Sequence, residues 1–347
     1  MRAISFLAIF VYHSNLGSFG CLGAWGVSVF LMLSGFLMAY QYLQKPSDPV
    51  FGLRFAWNKV KSLYPLHLVT MVAKIPVAIF DVLSGTLSLL AFVVAVILNV
   101  GMAQIWVPWQ AMYSALNGPS WFMCVIAFSY FLFPLLLKQL KGLRSVKDAI
   151  LFMGGFVAAY LIAAIVAFVL KESGATAGVV QWCTYYFPPV RFCDFGIGCA
   201  LGWMFLNVDK SSLRWTSGSN GCAQLICFGL ILLSMWAYTN EAPLFGSMSI
   251  RYSILFLPTT AALIWVVSSC SGKLERAWSC GWLTWIAALS PYAFLIHAVV
   301  LKYVGKAFAV VLPMAPKVFA AIFALAVTLA LSAWWKNFDK ARKAKYA

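Results

Sequence analysis

Eleven apolar runs divide this chain, each near the length of a membrane-crossing helix. They cover residues 2–16, 23–44, 63–83, 86–104, 119–137, 148–170, 187–206, 221–239, 250–270, 282–303 and 317–335. A helix that spans the hydrocarbon core needs about 20 predominantly apolar residues. Composition points the same way: of 347 residues, 63% are hydrophobic and 10% are charged. A soluble domain would be about half apolar and about a quarter charged. No globule of this length has enough interior to hide that surplus, so lipid must act as solvent. A soluble enzyme, a disordered chain and a secreted disulfide scaffold are thereby excluded. No β-barrel alternation occurs, which leaves an all-α integral membrane protein, a polytopic helical bundle. No small-residue cleavage site follows the first run, so it reads as a first transmembrane helix and not as a signal peptide. The 15 Trp residues suit membrane–water interfaces.

The net charge of +16 is not a nucleic-acid signature, because the basic residues gather in short clusters between apolar runs. These are Lys45/Arg54/Lys59/Lys61, Lys138/Lys141/Arg144/Lys147, Lys210/Arg214, Lys273/Arg276 and the tail Lys336/Lys340/Arg342/Lys343/Lys345. An excess of Lys and Arg marks cytosolic loops, so all five are expected on the cytosolic side of the membrane. Successive inner loops must be separated by an even number of crossings. The interval 62–137 breaks this rule with three runs, so one of them does not cross. The choice falls on 86–104 or its continuation through 105–117, where Trp106, Pro108 and Trp109 suit a re-entrant or interfacial segment. The expected architecture is one domain, 1–347, with no appended soluble part. It has about ten transmembrane helices, one re-entrant or interfacial segment and both termini in the cytosol. The outer loops then fall at 17–22, about 84–118, 171–186, 240–249 and 304–316.

Ionisable groups inside such runs are costly in lipid and usually functional. Asp194 is the carboxylate that lies well inside a run, and Arg191 stands three residues earlier on the same helix face. The pair either neutralises itself as a buried salt bridge or belongs to a site. The orientation places Arg191, Asp194, His13 and His297 in the outer halves of their runs. Arg2 and His13 sit at opposite ends of the first run, about 16 Å apart along a helix axis. His13 is either a satisfied core hydrogen-bonder or a base that titrates near neutral pH. His297 is open to the same two readings, and His67 reads as interfacial. The nine Cys residues are scattered, with no CxxC and no His at ligand spacing. They read as small hydrophobes, and no metal site or tightly bound cofactor is expected.

Six segments carry a further signal. RAISFLAIFVYH separates Arg2 and His13 by ten residues. GAWGVSVFLMLSGFLMAY holds Gly26, Phe30, Ser34, Gly35 and Phe36. RFAWNKVKSLYPLHLV is basic and ends in Tyr-Pro before its last residues. PSWFMCVIAFSYFLFP carries Trp121, Tyr130 and Pro134. PPVRFCDFGIGCALG carries Arg191 and Asp194, and LSPYAFLIH carries Tyr292 and His297. In this order they resemble the membrane acyltransferase family 3, the integral-membrane O-acyltransferases of bacteria, over essentially the whole chain. The first segment is similar to that family's Arg-x10-His signature. There are departures. Ile126 and Ala127 stand where the family helix often has Glu-Glu, and Asn58 and Ser62 stand at two usual Arg places. The chain begins one residue before Arg2, where family members normally have several.

The resemblance implies transfer of an acyl group, usually acetyl, from cytosolic acyl-CoA to a hydroxyl of an envelope or exported saccharide. Acetyl-CoA is then the donor substrate, and its thioester needs no metal or ATP. His13 would be the base or a transient acyl carrier. Asp194 would orient or charge-balance the imidazole, and Arg191 would stabilise the oxyanion or bind the acceptor. Arg2, Arg54, Lys59 and Lys61 would meet the CoA phosphates, unless they only set topology. Trp121, His297 and Tyr292 would bind the acceptor, with outer aromatics such as Trp106, Trp109 and Trp182 either stacking on sugar or anchoring at the interface. Two other readings stay open. A transporter or flippase is suggested by the Arg191/Asp194 pair and the broken region 84–118. A non-catalytic subunit of a polysaccharide assembly machine is suggested by the missing Glu-Glu.

Overall fold

The computed structural model describes residues 1–17, 20–208, 217–240, 254–269 and 273–345. Lys210, Arg214 and the loop expected at 240–249 lie outside those residues, apart from Asn240. Each of the eleven apolar runs contains a helix, and no strand occurs among the described residues. In chain order the helices are α1 (Arg2–His13), α2 (Gly20–Leu43), α3 (Leu53–Val60), α4 (Tyr64–Leu83), α5 (Leu89–Val100), α6 (Gln110–Ser114), α7 (Trp121–Gly142) and α8 (Val146–Glu172). They continue as α9 (Ala177–Gln181), α10 (Pro188–Asn207), α11 (Ser217–Thr239), α12 (Leu257–Ser268), α13 (Lys273–Trp278), α14 (Gly281–Val311) and α15 (Lys317–Lys345). Eight helical stretches are long and apolar enough to cross a membrane, and α1, α5 and the Ile254–Ser268 stretch are apolar but shorter. The chain is thus a multi-pass, all-α membrane protein.

Local sequence explains where these helices stop. The Ser145 hydroxyl accepts the Asp148 N–H while the Asp148 carboxylate accepts the Ser145 N–H, a reciprocal cap that starts α8. Helix α14 runs eight residues past the apolar run at 303, because Lys302 and Lys306 lower hydropathy without lowering helix propensity. It ends just before Pro313. Helix α15 likewise continues through the basic tail. There Asp339 holds Arg342 at 2.7 Å and Lys343 at 2.6 Å, three and four residues on.

Contacts group the chain into two compact units. The first comprises Met1–Gly23, Asn58–Cys124 and Gly281–Ala347. The second comprises Ala24–Trp57 and Val125–Cys280. In the first unit α14 and α15 form a hairpin, and α1 and α4 both pack on α14. The segment that holds α5 and α6 is the one expected not to cross. At 12 residues α5 is about 18 Å long, and the chain then breaks at Met102, whose φ is 51°.

The broken backbone is satisfied by protein groups, as irregular chain at membrane depth requires. Asn99 donates to Ala95 O at 2.8 Å and Met112 O at 3.2 Å, and Ser120 donates to Asn99 Oδ1 at 3.3 Å. Gln104 donates to Ser120 Oγ at 3.3 Å and accepts from the Cys124 thiol at 3.0 Å. His67 is fully buried, and its Nε2 lies 2.8 Å from Asn99 O, so it is a structural pin of this segment.

The second unit is built on a close approach of α2 and α10. A Cβ on Gly198 would fall inside the envelope of the Met32 carbonyl, one on Gly202 against Phe36 O, and one on Gly35 against Phe195 O. Gly198 and Gly202 thus form a small-xxx-small seam that lets two backbones touch. Cys199 supports it by donating its thiol to Gly35 O at 3.3 Å, the small-filler role expected of these cysteines.

Candidate active site

His13 is the last residue of α1. The helix ends there because the Ser14 hydroxyl takes the Val11 carbonyl at 2.7 Å and Asn15 turns the chain with φ 55°. Asn tolerates that left-handed conformation where most residues do not. The imidazole therefore sits at a fixed terminus. It faces His297 of α14, with ring centroids 5.0 Å apart and planes at 56°. The Tyr12 ring also lies close to it, with centroids 4.6 Å apart and planes at 58°.

His297 is fully buried. Phe6, Phe10 and Phe294 surround its ring at 6.1, 6.4 and 5.8 Å. Its Nδ1 lies 3.2 Å from Ala293 O. A carbonyl only accepts, so in the neutral ring Nδ1 carries the proton and Nε2 is left as an acceptor. That Nε2 has no hydrogen-bond partner within the protein. The loop before α7 is tied to the same helix, since the Asn117 amide donates to Leu295 O at 2.8 Å and to Thr70 Oγ1 at 3.0 Å. These bonds fix α4, α14 and the loop before α7 around the histidine pair.

Beside this pair lies a cavity of about 700 Å³. Its wall includes His13, Ser14 and Asn15 from the end of α1, Gly118 and Pro119 from the loop before α7, and Lys74, Lys302, Lys306 and Lys317. The volume lies within the range of ordinary ligand pockets. The lysines were not singled out in the sequence. Lys74 is the one lysine inside the apolar run 63–83, which is the signal that marks it.

A family model described as an acyltransferase domain matches residues 1–335. The chain belongs to that acyltransferase family. The likeness to membrane acyltransferase family 3 read from six segments is therefore borne out. A curated relative, the acyltransferase MdmB of Streptomyces mycarofaciens, is 30% identical over 185 residues. That alignment covers 52% of this chain and 46% of the relative, so the match spans about half of the relative's length. No solved structure gives a significant match.

The family's arginine and acidic pair is in the second unit. Arg191 Nη1 and Asp194 Oδ2 are 3.1 Å apart, both fully buried, as their three-residue spacing predicts. Tyr160 of α8 donates its phenol to the same Oδ2 at 2.6 Å. Arg191 also donates to Ser28 Oγ at 3.3 Å and lies over the Tyr185 ring at 5.2 Å. Tyr160 was missed in the sequence because an aromatic in an apolar run looks like filler.

The remaining expected site residues are more dispersed. Arg2 opens α1, so its length separates Arg2 from His13. Arg54 and Lys59 lie on α3, with Arg54 exposed, and Lys61 donates to Asn58 Oδ1 at 2.9 Å. Trp121 is buried at the start of α7 and packs edge-on against Phe122 at 6.2 Å. Tyr292 lies within electrostatic range of Asp339 and Lys343 and does not line the cavity.

Proposed function

We propose that the chain is a membrane O-acetyltransferase. It moves the acetyl group of acetyl-CoA to a hydroxyl of an envelope or exported saccharide at the bacterial cytoplasmic membrane, with both termini in the cytosol. One observation carries the reading. In a chain of an acyltransferase family, His13 ends a helix at the wall of a cavity and against a second, buried imidazole.

The chemistry needs a base for the acceptor hydroxyl and a stabiliser for the oxyanion. His13 takes the hydroxyl proton while the acceptor oxygen attacks the thioester carbonyl. The tetrahedral intermediate collapses by breaking the carbon–sulfur bond, and the departing CoA thiolate recovers the proton from the imidazolium. Alternatively, the imidazole itself attacks first and carries the acetyl group. His297 is the positioning partner, because its Nε2 is held ready to accept one hydrogen bond beside His13. Arg191 and Asp194 remain a separate candidate pair within the second unit, and substitution decides whether they act in transfer. Arg2, Arg54, Lys59 and Lys61 are proposed to meet the CoA phosphates. Trp121 and Tyr292 are not carried into this reading.

The test is reconstitution of the full chain with radiolabelled acetyl-CoA and the envelope glycan fraction of its host. Label is expected in glycan with the wild type and not with His13→Ala. Full transfer by His13→Ala would overturn the mechanism.

A further inference from the structure

The cavity beside His13 has a chemical character that acetyl transfer alone does not demand. Four lysines line it, from the middle of α4, the end of α14 and the start of α15. Lys74 lies within electrostatic range of Lys302 and Lys306, and Asp81 is the acidic group that reaches it. Lys306 also lies over the Phe80 ring at 5.4 Å. Among the described residues, no carboxylate forms an ion pair with Lys74, Lys302, Lys306 or Lys317. The whole chain has nine Asp and Glu against 25 Lys and Arg, in a sequence that is only 10% charged. Four unpaired cations around one cavity, in so sparsely charged a protein, repel one another unless an anion lies among them. Three of the four are exposed side chains that can reach into the space, while Lys74 is half-buried.

Resting on the acetyltransferase reading, we infer that this cavity is the acceptor subsite and that the acceptor is an anionic saccharide. Its carboxylate or phosphate groups are held by Lys74, Lys302, Lys306 and Lys317 while a hydroxyl is presented to His13. The donor phosphates are the other source of negative charge near the site. The placement favours the acceptor. The basic residues assigned to CoA begin with Arg2 at the far end of α1, about 16 Å along the axis from His13, whereas the lysines share a wall with His13 itself. The lysines therefore set which acceptors are taken, by charge. His13 sets what is done to them.

The experiment uses the full chain in nanodiscs of phosphatidylcholine, which carry no net charge. Binding of trigalacturonate, maltotriose and acetyl-CoA is measured by calorimetry for the wild type, Lys302→Gln/Lys306→Gln and Lys302→Arg/Lys306→Arg. The wild type is expected to bind trigalacturonate and not maltotriose, with affinity falling as salt rises. The Gln variant should lose about tenfold or more of that affinity, the loss of two charge-assisted contacts, and the Arg variant should restore most of it. Acetyl-CoA affinity should stay within about twofold throughout.

Equal binding of the two oligosaccharides, binding of neither, or no effect of the Gln variant overturns the proposal. Loss of acetyl-CoA affinity in the Gln variant assigns the lysines to the donor and also overturns it. So does displacement of trigalacturonate by added phosphatidylglycerol, which would assign them to lipid headgroups. Failure of the acetyltransferase reading shows separately, as absence of acetyl-CoA binding by the wild type, with the trigalacturonate arm still deciding the subsite.

Discussion

The imidazoles of His13 and His297 lie 5.0 Å apart, although they come from opposite ends of the chain. One closes a helix at a cavity wall and the other is sealed among phenylalanines. In the proposed reaction the first exchanges protons with a ligand and the second holds the first in register.

These roles separate on substitution. His13→Ala should lower acetyl transfer by about 100-fold or more, the usual share of a general base. His297→Phe keeps the aromatic packing and removes Nε2. It should lower the turnover number by less than His13→Ala does and leave thermal unfolding of the purified protein nearly unchanged. Equal losses in the two variants would show that the pair acts as one catalytic unit.

The left-handed Asn15 supports His13 from behind. Asn15→Gly should be neutral, since glycine takes φ 55° without strain. Asn15→Val should cost about 1–2 kcal/mol of local stability and reduce transfer by displacing the end of α1. A thermal scan and an activity assay on both variants check this, and equal behaviour of the two would sink the argument.

The buried Arg191–Asp194 pair offers a direct choice between structure and site. Removing one partner strands a charge, so Arg191→Met alone should be destabilising by about 3–5 kcal/mol. Arg191→Met/Asp194→Leu removes both and should recover most of that loss. If the double variant folds and still transfers acetyl groups, the pair is scaffolding. If it folds and is inactive, the pair belongs to the site. Tyr160→Phe removes the 2.6 Å bond to Asp194 and should cost about 1.5–3 kcal/mol.

The seam between α2 and α10 should tolerate no side chain. Gly198→Ala places a methyl group in the Met32 carbonyl, which forces the backbones apart at a cost of about 1–3 kcal/mol or more. Gly229→Ala, whose Cβ would meet nothing within 4 Å, is the control. A lower unfolding temperature for the first and not for the second is the expected result.

How much of this was written in the sequence depends on the kind of relation involved. Apolar run length is a local property, and each run proved to hold a helix. Basic-loop parity is a property of neighbouring runs. It pointed to the segment whose helix α5 is short and whose polar groups are bonded to one another. The three-residue spacing of Arg191 and Asp194 fixed their pairing. What was not legible is the set of neighbours across helices. Depth put His13 and His297 at one level but not side by side. Lys74 and Lys302 were passed over because the charge reading looked for clusters between runs, and Lys306 was taken for loop because the hydropathy fell before the helix ended. The bond made by His67 was not legible because its partner, the Asn99 carbonyl, belongs to backbone that no side-chain pattern reports.

The long final helix has a bearing on lipid environment. From Lys317 to the exposed Trp334 is 17 residues, about 26 Å of helix, close to the roughly 30 Å hydrocarbon depth of a bilayer. Lysine and tryptophan are both interfacial anchors, so these two residues pin the hairpin at its upper and lower margins. Lys317 is also part of the cavity wall. On the proposed acceptor reading, any change in bilayer thickness that shifts the interfacial end of α15 would reach the cavity through Lys317.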